Sequence, residues 1–138
     1  SGEEVLLVKP SSFYNDAGVV ARRLLDFYKA DPLSDFIVIH DDIALPFGTI
    51  RIREKGSDAG NNGVKSLNTY VGPEFPRIRI GVWTDMRDQM DDVNFVLGNF
   101  SIHEEKRLKK HIIPHILTLI DQFLDGSLES TSHTIIDK

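Results

Sequence analysis

Two amides and one carboxylate are the side chains of this sequence whose types and spacing best suit chemistry. The amides, Asn61 and Asn62, lie in a loop that also holds Gly56, Gly60 and Gly63, and amides donate and accept hydrogen bonds without carrying charge. Glycine lets bare backbone approach a ligand closely, and the helix that follows offers free N–H groups at its N terminus. We therefore predict a ligand-facing loop, although an ordinary strand-to-helix connection also fits these turn residues.

The carboxylate is Asp41, which follows the run FIVIH at residues 36–40. A short apolar, β-branched run is typical of a strand buried on both faces, so we expect Asp41 and Asp42 at its carboxyl end. Ligands of α/β sheets usually bind beyond the carboxyl ends of the strands. The sequence thus predicts that Asp41 and the two amides lie at the same end of the sheet.

Alternating strands and helices must position these residues. We predict strands at residues 4–9, 36–40, 49–53 and 77–83, a helix opened by Asn15-Asp16, a second over 64–71, and a third opened by the capping box of Ser101 and Glu104. Residues 49–53 and 77–83 alternate isoleucine with arginine, which predicts two basic strand faces that form one strip. Residues 84–92 are acidic and are interpreted as a loop.

The two longer helices carry apolar stripes from which we predict their buried faces. In the first helix these residues are Val20, Leu24, Phe27 and Tyr28, and in the last they are Ile113, Leu117, Ile120 and Leu124. Pro114 is expected to kink the last helix, and the polar residues from Gly126 onwards are expected to be frayed or loosely docked. These elements predict a three-layer α/β sandwich whose central sheet is mixed, because the connection from Phe47 to Thr49 is too short for a parallel crossover.

Composition limits the classes of protein that fit. A chain of 138 residues suits one domain, and its 41% hydrophobic content is ordinary for a globular protein. The absence of cysteine excludes disulfides and thiolate chemistry. We expect a cytoplasmic monomer without a membrane span, metal or cofactor. The formal charge of −5 argues against a general polyanion binder, although a local basic face can still hold phosphates.

Histidines offer weaker signals. His40 and Asp41 are adjacent in a strand and point to opposite faces, so we predict a structural role for His40. His111 and His115 have the spacing of metal ligands, but they lack the glutamate of the H-E-x-x-H motif. We interpret them as part of a solvated or partner-facing helix surface. Asn15 could serve as a helix cap, a common role for asparagine.

Five motifs follow one another along the chain, of which the first three are KPSSFYNDAG at 9–18, VIHDDIALPFGTIRIR at 38–53 and GSDAGNNGVKSL at 56–67. They resemble, in turn, the Lys-Pro-x-Thr-Phe-Met-Asn-x-Ser-Gly motif, the strand and Asp-Asp-Leu-Asp-Leu-Pro-x-Gly motif, and the Gly-Gly-x-x-Gly-His-Asn-Gly-Leu-Lys-Ser segment of the bacterial-type peptidyl-tRNA hydrolase family. FPRIRIGV at 75–82 and DVNFVLGNFS at 92–101 resemble two further stretches. The departures, among them Asn61 where the family usually has histidine, indicate a divergent member.

The resemblance implies a reaction and a set of site residues. The family cleaves the ester between a peptide and the 3′ end of tRNA, and general-base attack of water is the mechanism we expect. By the resemblance, Asp41 orients the catalytic histidine, while Asn15, Asn62 and Phe13 contact the peptide and the terminal adenosine. Lys65 is also predicted to bind substrate, and Arg53 and Arg79 are predicted to bind tRNA phosphate.

The family's Gly-Asn-Pro-Gly loop and its Arg-His-Asn segment with the catalytic histidine do not occur in these 138 residues. We therefore expect a partial chain that lacks the family's N-terminal strand and loop, with a reduced natural homologue as the alternative. Two further functions stay open. The first is a noncatalytic binder of the tRNA 3′ end that has lost the histidine, and the second is a small-molecule binder that uses the same cleft.

Overall fold

A computed structural model describes residues 4–10, 16–58, 60–84 and 100–135. In these ranges the elements follow one another as α1 (Ala17–Tyr28), β1 (Val38–Pro46), β2 (Thr49–Arg53), α2 (Asn62–Tyr70), β3 (Arg77–Trp83), α3 (Ile102–Arg107), a π-helical segment (Leu108–Ile112), α4 (Ile113–Asp125) and β4 (Ser132–Thr134). The predicted loop at 84–92 lies outside the described residues except for Thr84.

The four strands form one sheet in the order β1-β3-β2-β4. β1 runs parallel to β3, whereas β2 runs antiparallel to both β3 and β4. The predicted mixed sheet is therefore confirmed. β3 lies between β1 and β2, although only two residues separate those strands in sequence.

Register gives the sheet two unlike faces. In the β2–β3 pair, Ile50 and Ile52 lie opposite Ile80 and Ile78, and this side, which we call the isoleucine face, packs against the C-terminal helix. Its buried residues are Ile50, Ile52, Ile78, Ile112, Ile116 and Leu119.

The other side, which we call the arginine face, carries the arginines of β2 and β3 together with Val38, His40 and Asp42 of β1. Helices α1 and α2 cover it through a cluster of Ala21, Val64, Leu67 and Phe75, against which Val38 packs. Helices therefore lie on both faces, as expected for a three-layer α/β fold.

Two predicted strands differ from the structure. Residues 4–9 form no strand, and Leu7 is 87% exposed. A strand buried on both faces needs strand neighbours for its N–H and C=O groups, and residues 4–9 do not join the described sheet. The strand predicted at 36–40 instead spans Val38–Pro46, so Asp41 and Asp42 lie inside it and pair with Ile80 and Gly81.

The buried face of α1 was also predicted wrongly. Gly18, Ala21 and Leu25 are buried, whereas Phe27 is 77% exposed. Small residues bring α1 close to α2, since a Cβ at Gly18 would lie 2.1 Å from the carbonyl oxygen of Ser66. Close helix packing therefore selects the small side chains over the large ones.

In the C-terminal helix the buried residues are Ile112, Ile116 and Leu119, while the predicted Ile113 and Leu117 are exposed. Both sets fit a helical period, and packing against the sheet selects the set that contains Ile112, Ile116 and Leu119. The π-helical segment ends directly before Ile113 and Pro114, and proline cannot donate a backbone hydrogen bond. The capping box of Ser101 and Glu104 is confirmed.

The polar C-terminal residues are ordered into a strand, contrary to the prediction of fraying. Ser132, His133 and Thr134 pair with Arg51, Ile50 and Thr49 of β2. The open edge of β2 supplies backbone hydrogen bonds that need no apolar side chains on the added strand. Hydrophobic patterning therefore gave no sign of β4.

Candidate active site

The carboxylate of Asp41 and the amide of Asn61 meet where α2 begins. Asn61 donates from Nδ2 to Asp41 Oδ1 at 3.1 Å and to the Asp41 carbonyl oxygen at 3.2 Å. Asp41 itself is exposed. One side chain thus joins two residues that are 20 positions apart in sequence. The Asp41 carboxylate faces solvent beside the N terminus of α2.

Asn61 also caps α2. It lies in an extended conformation just before the helix, and its Oδ1 accepts a hydrogen bond from the backbone N–H of Val64 at 3.1 Å. The two sets of contacts fix the orientation of the amide, because a flipped amide would turn its donor toward an N–H and its acceptor toward two oxygens. The oxygen and the nitrogen of the Asn61 amide therefore both make hydrogen bonds.

Asn62 is the first residue of α2 and is exposed. The turn before it is built by Asp58, whose Oδ1 accepts from the N–H of Gly60 at 2.9 Å and whose carbonyl oxygen accepts from the N–H of Asn61. Gly60 has a φ of 77°, a conformation that glycine adopts without strain. The loop geometry thus presents the Asn62 side chain to solvent next to the Asp41–Asn61 contact.

The buried side chain of Arg77 holds the loop that precedes α2. Its guanidinium is fully buried, stacks over the Phe75 ring at 3.9 Å, and donates to the carbonyl oxygens of Gly56 at 3.2 Å, Ser57 at 3.4 Å and Pro73 at 2.6 Å. Burial lowers the pKa of Arg77 from its ordinary value, and the nearby Arg79 charge lowers it further. Arg77 is therefore not part of an exposed basic strip but supports the loop that carries the amides.

The start of α1 is fixed to the same helix. Gly18 donates its N–H to Ser66 Oγ of α2 at 2.9 Å, and both residues are buried. This contact anchors the chain three residues after Asn15. Asn15 and Phe13 themselves, both predicted to contact substrate, lie outside the described residues.

Adjacent acids in β1 have opposite environments. Asp42 is buried, accepts from the N–H of Ala44 at 2.8 Å and pairs with Arg79, whose Nη2 lies 2.8 Å from its Oδ2. Asp41 remains exposed on the other side of the strand. Of the two carboxylates, Asp42 holds β1 to β3, and Asp41 is accessible.

The predicted phosphate-binding residues differ in their contacts. Arg53 donates to the carbonyl oxygens of Ile52 at 2.6 Å and Thr131 at 3.1 Å, and Arg79 pairs with Asp42. Lys65, by contrast, is an exposed residue of the first turns of α2. Their roles in substrate binding stay predictions.

His40 is buried, and its ring does not contact the Asp41 carboxylate. Its Nδ1 lies 2.8 Å from the Asp41 carbonyl oxygen, while its Nε2 is buried without a described partner. Burial lowers the pKa of His40, an effect that the hydrogen bond to Asp41 and the charges of Asp41 and Asp42 partly oppose. This agrees with the predicted structural role.

Within the ranges that the structure describes, no group of three or more histidine, aspartate or glutamate side chains could hold a metal ion. Also within them, no helix has the length and apolar character that crossing a bilayer requires. His111 and His115, which have the spacing of metal ligands, thus have no third ligand among the described residues.

Comparison with known proteins agrees with the fold and the motifs. The sequence model of the peptidyl-tRNA hydrolase family matches residues 1–138. A peptidyl-tRNA hydrolase from Fusobacterium nucleatum is 48% identical over 107 residues, which are 78% of this chain and 54% of the relative. One from Thermotoga maritima is 49% identical over 105 residues, 75% of this chain and 55% of the relative.

A solved structure gives the same result. The crystal structure of peptidyl-tRNA hydrolase from Acinetobacter baumannii matches with a TM-score of 0.73 and 26% identity, and the match covers 85% of this chain and 58% of that one. This chain belongs to the peptidyl-tRNA hydrolase family. It spans about half the length of the curated relatives it matches.

Sequence reasoning named the Asn61–Asn62 pair but assigned a role only to Asn62. Asn61 is the residue that contacts Asp41 and caps α2. One signal could have identified it, because asparagine directly before a predicted helix is a frequent N-cap. The contact to Asp41 depends on tertiary structure and had no sequence signal.

Proposed function

We propose that this protein hydrolyses the ester bond of peptidyl-tRNA by general-base attack of water. The observation that carries the proposal is the contact of Asp41 with Asn61, which holds an exposed carboxylate beside the amide-bearing N terminus of α2 in a chain of this family. A carboxylate can hold a histidine base in one tautomer and stabilise its protonated form. Neutral amides can bind carbonyls and polarise the ester.

The roles follow from these chemistries. Asp41 orients the histidine, Asn62 and Asn15 bind the ester and the terminal adenosine, and Phe13 adds an apolar contact. The proposal assigns the base to the histidine of the family's Arg-His-Asn segment, which these 138 residues do not contain. The protein to assay must therefore carry that histidine.

tRNA is the proposed partner. Of the three predicted phosphate-binding cations, Lys65 is the exposed one, whereas Arg53 and Arg79 already hold carbonyl and carboxylate oxygens. Each phosphate contact adds about one unit to the slope of log affinity against log salt. Lys65→Met should lower that slope by about one, and Lys110→Met, on the opposite side of the sheet, is the control. We further propose a monomeric, single-domain protein of the cytoplasm.

The experiment measures release of N-acetylated peptide from peptidyl-tRNA. Asp41→Ala should lower kcat/KM by about 10⁴-fold, the loss typical of removing the acid that orients a catalytic histidine. Asn62→Ala should lower it by about 10²-fold, as expected for one polarising donor. Asp121→Asn, which changes an exposed acid on the distant C-terminal helix, should match the wild type.

Other outcomes identify the other functions. Tight, salt-dependent tRNA binding without peptide release would identify a noncatalytic binder of the 3′ end. Equal release by wild type and Asn62→Ala would remove Asn62 from the mechanism. Ligand binding that ignores salt concentration would favour a small-molecule site.

A further inference from the structure

We infer that Asn61 is a positioning residue that sets the orientation of the Asp41 carboxylate, an inference that rests on the proposed function. Asn61 does not need to touch substrate for this role. Its amide spans the gap between β1 and α2 and holds Asp41 through two hydrogen bonds, one to the side chain and one to the backbone.

Contacts on both sides make Asn61 suitable for positioning. Its Oδ1 is fixed by the N–H of Val64, which is buried in the cluster beneath α2, and its own backbone N–H is fixed by Asp58. An amide held at its oxygen and its backbone has little freedom left for its Nδ2 group. The exposed Asp41 carboxylate is thereby tied to the start of α2.

Asn61 also couples Asp41 to Asn62. The two asparagines are adjacent in sequence, and Asn61 caps the helix that Asn62 begins. One capping geometry therefore sets both the direction of the Asp41 carboxylate and the position of the Asn62 side chain. Family members usually carry histidine here, and a histidine can also donate to a carboxylate. In this chain the donor is neutral and does not titrate.

Two functions of Asn61, the cap and the hold on Asp41, can be separated by substitution. Asn61→Ser keeps a good cap, because a serine hydroxyl can accept from Val64. Its single, shorter oxygen then lies at the cap, and serine lacks the separate nitrogen that reaches Asp41. Asn61→Ala loses both contacts. Asn61→His restores a donor to Asp41 and reproduces the residue usual in the family.

The test measures kcat and KM for peptidyl-tRNA and the melting temperature of each full-length variant. We expect Asn61→Ser to melt as the wild type does, to keep KM, and to lose about 10-fold or more in kcat, since small misplacements of catalytic groups cost up to about 10²-fold. Asn61→His should recover most of kcat. A purely structural residue would show the opposite pattern, with Asn61→Ser fully active and Asn61→Ala impaired only through its stability.

A second measurement does not depend on activity. The NMR signals of the Asn61 side-chain amide should move on Asp41→Ala, while the backbone signal of Val64 stays in place. If the wild type hydrolyses peptidyl-tRNA and Asn61→Ser equals it, the inference is wrong and the proposed function stands. If no hydrolysis occurs in the wild type, the proposed function is wrong. If, in addition, the Asn61 side-chain signals do not move on Asp41→Ala, the proposed positioning of Asp41 by Asn61 is wrong as well.

Discussion

The two faces of the sheet differ in what they contribute. The isoleucine face is an apolar layer in which Ile50, Ile52 and Ile78 are almost fully buried against the C-terminal helix. The arginine face buries charges and polar groups, namely Arg77, Asp42 and His40, and each of them contacts a segment that leads to the candidate site. Burial of apolar area is a non-directional form of stabilisation, whereas hydrogen bonds require defined distances and angles and therefore fix the position of a loop. The comparison teaches that the buried hydrogen bonds that support the loop before α2 lie on the arginine face, whereas the isoleucine face is held by apolar packing.

The strongest test of this division is a cavity on the isoleucine face. Ile78→Ala should lower the free energy of unfolding by about 2–5 kcal/mol, because the removed atoms lose burial and leave a void. Denaturant titration measures the loss. Leu117→Ala is the control, since Leu117 is 57% exposed and should change stability by less than about 0.5 kcal/mol. Equal losses for the two variants would mean that the buried stripe of the C-terminal helix is assigned wrongly.

Removing a hydrogen-bond donor from the arginine face should change the loop before α2 as well as the free energy of unfolding. Arg77→Met keeps an apolar stem over Phe75 but leaves the Pro73 and Ser57 carbonyl oxygens without their donor, at a cost of about 1–3 kcal/mol. Amide signals of residues 57–62 should shift in an NMR spectrum, which Ile78→Ala should not cause.

Arg51→Met is the matched control for Arg77→Met. Arg51 lies on the same face and has one hydrogen bond described, to Ser132 Oγ at 3.3 Å. Its replacement should change stability by less than about 0.5 kcal/mol. If Arg77→Met left the loop signals unchanged, the arginine face would have no special part in positioning.

Helix caps offer a smaller comparison between the two faces. Ser101 caps the helix that covers the isoleucine face, as Asn61 caps α2 on the arginine face. Ser101→Ala should cost about 1 kcal/mol in unfolding free energy and leave kcat unchanged, because that helix end has no contact with Asp41 described. Ser101→Asp should keep the cap and the stability. A loss of kcat in Ser101→Ala would mean that the helix on the isoleucine face also positions the candidate site.

The smallest expected effect is on pH dependence, and it involves one histidine on each side. Burial lowers the pKa of His40 and of His115, and the neighbouring His133 lowers that of His115 further. The folded protein thus disfavours the protonated rings, while the unfolded chain takes up protons near pH 6.5. The stability linked to these rings is fully present above pH 6.5 and declines as pH falls through the folded-state values.

Denaturation curves between about pH 7.5 and pH 5 measure this effect. His40→Gln and His115→Gln should each lose less stability on acidification than the wild type does. Leu117→Ala, which removes no titrating group, should follow the slope of the wild type. If only His115→Gln lowered the pH dependence of stability, the loss of stability at low pH would come from His115 and not from His40.

Prediction from the sequence succeeded where the signal was local. The alternation in TIRIR and RIRIGVW predicted β2 and β3 because alternate residues of a strand point to opposite faces, and the capping box at Ser101 uses residues only three positions apart. The order of strands and helices predicted the three-layer fold, and the glycine-rich loop and the apolar run at 36–40 drew attention to the Asn61–Asn62 pair and to Asp41. The signal for each single element lies within about a dozen residues.

Only tertiary structure decided the rest. Which stripe of α1 or α4 is buried depends on the neighbouring element, so Gly18 and Ile112 face inward where Tyr28 and Ile113 were expected to. β4 forms because β2 has a free edge, and Arg77 is buried because four carbonyl oxygens converge on it. The contact of Asn61 with Asp41 joins residues 20 positions apart. The amino-acid order determined which side chains were available, and packing between distant segments determined which of them meet, because hydrogen bonds and close contacts require proximity in space that sequence spacing does not encode.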